Sequence, residues 1–235
     1  MTQALEIRLA QPHETAQVAD VLTQAARRLA DRGQALWGAS EVAAPAVEPD
    51  VRGGMYHLAL EGGEPVGVFR FQLEDPHFWP EVPIGSSAFV HKLAVRPDRQ
   101  GRQLAHRLLT HACELTRRLE RQYLRLDCQG GRPKLRQLYE RFGLRHHSAL
   151  QLGSGVYERF EIDLAVHRFN VFGRIYSIQR EGALWQASAH GPDGKRSPAG
   201  FVVPDFIAAD EMEQYLFDLF HESATPGNGD VRRIG

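Results

Sequence analysis

The sequence predicts an α/β (α+β) protein followed by a small β-rich module, and three features predict it. Met55 to Leu60 and Pro65 to Leu73 alternate apolar and polar residues on either side of Glu61-Gly62-Gly63-Glu64, where glycines supply the positive φ of a tight hairpin. His91 to Leu109 passes from a strand through a short basic loop straight into a helix. From about His167 onward strand patterns recur and end in one amphipathic helix.

Leu5 to Leu9 alternates as a short strand. Pro12 then opens a helix in which Val18, Val21, Leu22, Ala25 and Leu29 recur at helical spacing, with Gly33 as its stop. Ser40 to Val51 reads as a shorter helix interrupted by Pro45 and Pro49. After the aromatic loop DPHFWPEVPIG, Ser87 to Val95 is a strand and Gln103 to Arg121 a helix with Leu104, Leu108, Leu109, Ala112 and Leu115 on one face. Tyr123 to Cys128 is a strand, Pro133 to Phe142 a helix begun by proline, and Leu144 to Leu152 and Val156 to Leu164 are strands.

In the second unit RFNVFGRIYSIQR and ALWQASAH read as strands and GPDGKRSPAG as a polar turn region. Ile207 to His221 is a helix turning Met212, Tyr215, Leu216, Leu219 and Phe220 inward. The expected organisation is residues 1–165, residues 166–222, and a disordered tail over 223–235.

Hydrophobic residues make up 43% and charged residues 24%, the balance of a folded soluble domain. No apolar run approaches the roughly 20 residues that span a bilayer, and Met1 to Leu9 has neither a basic nor an apolar leader segment, so the expectation is a cytoplasmic protein with no membrane partner. Cys113 and Cys128 form no CxxC pair and the histidines form no HExxH cluster, so no metal is expected.

The net charge of −1 hides an asymmetry. Residues 1–90 hold 6 Lys/Arg against 12 Asp/Glu, whereas residues 96–145 hold 13 against 5. An anionic ligand belongs on the second stretch. At its start, His91 to Leu109 runs from a strand through a basic loop with Arg99 and Arg102 into a helix N-terminus whose free N–H groups suit a pyrophosphate. A nucleic-acid binder using these arginines is the weaker reading at a sequence pI near 6.8. Cys128 reads as a buried strand residue, and Trp37 and Trp79 as core or pocket residues.

Val95, Pro97, Gln100, Gly101, Leu104 and Ala105 resemble the V-x-P strand end and [Q/R]-x-x-G-x-[G/A] loop of the GNAT superfamily, with Gln103 where glycine is usual. LRLDC and LRQLYERFGL resemble the family's later strand and helix. The resemblance spans about residues 5 to 164 and implies the GNAT fold, a mixed, mostly antiparallel central sheet flanked by helices. It further implies an acetyl-CoA-dependent N-acetyltransferase in which a neutral amine attacks the thioester directly.

On that resemblance the CoA contacts fall on Leu93, Ala94, Val95, Gln100, Gly101, Arg102, Gln103, Leu104, Ala105, His106, Arg132 and Tyr139. The Leu93 N–H would stabilise the oxyanion and Tyr139 would be the general acid. Glu81, with His77 and His91, offers a base for the amine, as does water. The acidic residues of 1–90 suit a cationic amine acceptor. A catalytically silent CoA-sensing or partner-binding module is the alternative. The segment from about His167 resembles small bacterial domains of unknown function, and a homodimer is one role for it. Asp218, His221 and Glu222 gather at its helix end.

Overall fold

The computed structural model describes residues 4–234; Met1–Gln3 and Gly235 lie outside the described residues. Strands β1 (Leu5–Leu9), β2 (Tyr56–Glu61), β3 (Glu64–Gln72), β4 (Ser87–Val95), β5 (Tyr123–Gln129), β6 (Arg145–Leu152) and β7 (Gly155–Asp163) form one sheet in the order β1-β2-β3-β4-β5-β7-β6. Only β4 and β5 run parallel, because the chain between them crosses over through a helix.

Three helices precede that crossover, α1 (Thr15–Ala30), α2 (Ala39–Val42) and α3 (Ala44–Arg52); the crossover itself is α4 (Leu104–Arg118), and α5 (Pro133–Phe142) follows β5. The helix expected over Ser40 to Val51 is thus two helices. Ala43 is extended between them, and Pro45 sits in the first turn of α3, where its missing N–H costs nothing. In the β2–β3 turn Gly62 and Gly63 both take positive φ, as the hairpin requires.

Apolar faces dictate the layers. Val18, Val21 and Leu22 of α1 and Val47 and Val51 of α3 share one core with Leu58 and Val68. On the other face Leu108, Leu109 and Ala112 of α4 and Tyr139 and Phe142 of α5 share a core with Phe69, Val90, Leu126 and Phe160.

The second unit has strands β8 (His167–Val171), β9 (Arg174–Glu181), β10 (Leu184–His190), β11 (Arg196–Pro198) and β12 (Val231–Arg233). They form a five-stranded antiparallel sheet, β11-β10-β9-β8-β12, covered by α6 (Met212–Phe220). The tail expected to be disordered therefore contains a strand. β12 pairs with the otherwise open edge of β8, and Val231 is buried beside Phe169 and Leu216.

The two units are in direct contact. Arg145 donates to the carbonyls of Phe206 and Ile207, each at 2.9 Å, Arg117 donates to the Arg180 carbonyl, and His167 meets Asp163 at 3.2 Å. Gly143 carries φ of 106° at the end of α5, and a Cβ there would lie 2.5 Å from the Ala183 backbone, so only glycine permits this approach.

Candidate active site

β4 and β5 are paired only from Ser87↔Tyr123 to Val90↔Leu126. Beyond that point they part, and His91 to Val95 has no β5 residue opposite. A cleft of about 1260 Å³ opens along this edge. Of the predicted CoA contacts, Leu93, Ala94, Val95, Gln100, Ala105, Arg132 and Tyr139 line it.

The loop from Arg96 to Gln103 leads from that edge into α4. Gly101 has φ of 82° and Gln103 a left-handed φ of 58°, so Gln103 adopts the conformation that glycine takes without penalty. No side chain caps α4, which leaves its first-turn N–H groups free for an anion. Arg99 and Arg102 flank the turn and share Glu61 at 3.6 and 3.8 Å.

The other five predicted contacts, Gly101, Arg102, Gln103, Leu104 and His106, are not among the residues lining the cleft. The Leu104 side chain is buried in the core and the His106 ring stands edge-on to Phe142 at 4.9 Å. Arg132 spans the cleft mouth, donating to the Gln34 carbonyl at 2.9 Å, the Ala35 carbonyl at 2.5 Å and Gln129 Oε1 at 2.7 Å. Its guanidinium ties the α1–α2 loop to the start of α5 and is committed to neutral acceptors rather than to a phosphate.

Tyr139 is buried on the far wall against Phe160, and burial raises its phenol above the ordinary tyrosine value. It is protonated at neutral pH. Cys128, also on the wall, has its thiol pushed up to about 11 by burial, so it is no thiolate nucleophile.

Glu81, the predicted base, lies outside the cleft lining and pairs with Arg159 at 2.6 Å. His77 lines the cleft beside Phe78. His91 is the buried one: its Nε2 lies 3.0 Å from Asp75 and its Nδ1 3.3 Å from Asp127. Although burial opposes the charge, the two carboxylates raise its pKa to about 9. The imidazolium thus stands where a cation would otherwise be needed between two buried carboxylates. The three donor atoms lie within 4.8 Å of one another.

Sequence reasoning named His91 but missed Asp75 and Asp127. Asp127 was visible as the one acidic residue in the apolar strand LRLDC. Trp37 lines the cleft, whereas Trp79 is core, held between Arg125 and Arg159. Asp218 and His221 meet within their own helix end, where His221 Nδ1 lies 2.9 Å from the Asp218 carbonyl. No helix among the described residues is long and apolar enough to cross a membrane.

The Acetyltransferase (GNAT) family matches over residues 22–144, and a domain of unknown function, DUF7661, over residues 166–235. No curated protein matches the chain. Among solved structures, a GNAT-family acetyltransferase from Listeria monocytogenes is similar at 19% identity and a TM-score of 0.59, covering 70% of this chain and 99% of its own. The polyamine N-acetyltransferase of Drosophila melanogaster, which forms N-acetylagmatine, is similar at 17% identity and a TM-score of 0.52, over 68% of this chain and 100% of its own. The PaiA N-acetyltransferase of Thermoplasma acidophilum, in complex with coenzyme A, is similar at 11% identity and a TM-score of 0.53, over 66% and 98%. At such identities the likeness is one of fold.

Proposed function

The chain belongs to the GNAT acetyltransferase family, carrying a DUF7661 domain behind its acetyltransferase domain, and from that membership we propose that it moves an acetyl group from acetyl-CoA to a primary amine by direct attack. The observation that carries this reading is the parting of β4 from β5, whose free edge ends in a turn before an uncapped helix. Such an edge can pair with the amides of an extended pantetheine arm while the helix end takes the pyrophosphate.

Acetyl-CoA, when bound, would supply a thioester whose C–S bond breaks as the N–C bond of the neutral amine forms; an acceptor bound as ammonium gives up one proton before attack and a second as the amide forms, while the sulfur gains one. Leu93, at the bulged part of the edge, offers its N–H to the developing oxyanion. Val95 pairs with an amide, and Gln100 to Ala105 hold the phosphates. Tyr139 donates the proton that the sulfur takes.

Asp75, His91 and Asp127 orient the ammonium. With one imidazolium against two carboxylates the cluster carries a net charge of −1. Because His91 already holds its proton at neutral pH, the amine's proton passes to a carboxylate or to water rather than to the ring.

Acetyl-CoA at about 100 times its dissociation constant should stabilise the chain by near 2.7 kcal/mol. Thermal unfolding with and without millimolar acetyl-CoA reads this, and no change in midpoint would remove the site. Thiol release across a set of amines separates an active transferase from a silent CoA sensor, which would be stabilised yet release nothing.

A further inference from the structure

β4 is irregular where it borders the cleft. Val68 faces Ala94 and Arg70 faces His91, so Lys92 and Leu93 together oppose Phe69 alone. Lys92 takes a φ of 48°, a left-handed conformation at a non-glycine residue. Bulges re-aim side chains. Here the consecutive residues His91 and Lys92 both line the cleft, whereas a regular strand would send them to opposite faces.

The Lys92 ammonium lies 5.5 Å from the centre of the Trp37 ring, and burial lowers its pKa below the ordinary lysine value. The charged groups facing it are Glu41, Asp50 and Arg70. Asp50 and Arg70 are already paired at 2.8 Å, and Glu41 accepts the Gly38 N–H at 2.7 Å. Among the described residues no carboxylate oxygen lies within 4.0 Å of Lys92 Nζ, and Arg28 of α1 and Arg32 just after it line the same cleft with no ion-pair partner of their own.

A half-buried cation without a close counter-charge is unfavourable in the free protein and favourable once an anion arrives. Beside it, the Asp75–His91–Asp127 cluster keeps an excess negative charge, and Asp75 Oδ2 and Asp127 Oδ1, the oxygens nearest the His91 ring nitrogens, are buried with no donor besides that ring. The cleft thus presents two poles of opposite sign from adjacent β4 residues, with Trp37 and Phe78 as apolar walls.

Resting on the acetyl-transfer reading, we propose that the acceptor is a small amino-carboxylate, its amine seated at Asp75–His91–Asp127 and its carboxylate at Lys92. A purely cationic amine satisfies the first pole and meets repulsion at the second. An amino acid satisfies both.

The test uses the full chain, acetyl-CoA and matched acceptors that differ only in the carboxylate: arginine and agmatine, lysine and cadaverine, phenylalanine and phenethylamine. Thiol release should show at least one carboxylate-bearing member favoured about tenfold or more in kcat/KM. Lys92→Met should collapse that ratio, and Lys92→Arg should retain it, which also separates loss of charge from loss of folding. Equal or better use of the decarboxylated partner in every pair, or a ratio that Lys92→Met leaves intact, overturns the proposal. Stabilisation by acetyl-CoA with no acceptor in either set acetylated overturns it too, while leaving CoA binding standing. Absence of acetyl-CoA stabilisation instead refutes the underlying reading, and the proposal falls with it.

Discussion

Replacing His91 with glutamine tests the buried cluster without reference to catalysis. Burial opposes the charge on His91, yet in the folded chain Asp127 and Asp75 raise its pKa from 6.5 to about 9. Each tenfold gain in proton affinity on folding corresponds to about 1.4 kcal/mol, so the ion pairs contribute roughly 3 kcal/mol to stability. Because the folded value lies above the unfolded one, the contribution is fully present below about pH 6.5 and is lost as pH rises through about 9. Urea unfolding of the parent and of His91→Gln, followed from about pH 6 to about pH 9.5, should show a stability gap that narrows by roughly 3 kcal/mol. Titrating groups away from the cluster are common to both proteins and cancel in the difference; Asp75 and Asp127 do not, and their own proton uptake, once the imidazolium is gone, falls toward the acid end of the window. A gap that stays constant over this window, or an imidazole resonance of His91 titrating near its ordinary value, would refute the ion-pair account.

Tyr139→Phe should lower turnover by roughly tenfold or more with little change in acetyl-CoA affinity, read by single-turnover kinetics and titration calorimetry. Gln103→Gly should relieve a left-handed side chain costing about 1 kcal/mol, in part offset by the entropy of an added glycine, and should tighten acetyl-CoA. A weaker complex would mean that the glutamine itself contacts the ligand. Arg132→Ala frees the α1–α2 loop from the start of α5. It should raise the acceptor's KM more than that of acetyl-CoA, and the reverse split would restore Arg132 to the phosphate site. Arg145→Ala removes the donors to the Phe206 and Ile207 carbonyls, and calorimetry should then resolve separate transitions for the two domains.

The elements were legible where they rest on local periodicity. The Gly62–Gly63 hairpin, α1, α4 and α5 follow from spacing and from proline and glycine punctuation, and the motif from Val95 to Ala105 marks the crossover. What depends on pairing was not legible. β7 inserts between β5 and β6, and Val231 to Arg233 become a strand only because β8 offers an edge. The bulge at Lys92 exists only relative to Phe69 on β3. The acidic cluster is the same case: Asp75 sits in a loop and Asp127 in a strand, and no sequence pattern brings them to His91. Nor does the motif say which side chains turn away: Leu104 is buried in the core, and the His106 ring packs against Phe142.

The fate of Glu81 shows why a loop full of titratable residues misleads in sequence. Trp79 is buried between the guanidinium groups of Arg125, 5.1 Å from its ring centre, and Arg159, at 4.7 Å. Two buried arginines need counter-charges. Arg125 has Glu161 at 2.7 Å, and Arg159 has Glu81 at 2.6 Å together with the Phe78 carbonyl at 2.9 Å. Glu81 is therefore bound to anchoring the aromatic loop onto β5 and β7. That anchor bears on chemistry indirectly, since the same loop carries Asp75 to His91 and Phe78 to the cleft wall. Removing the Arg159 guanidinium should thus displace Asp75 as well as cost stability. An Arg159→Met variant that loses stability yet keeps the raised His91 titration would show that Asp75 is held by its own contacts and not by the clamp.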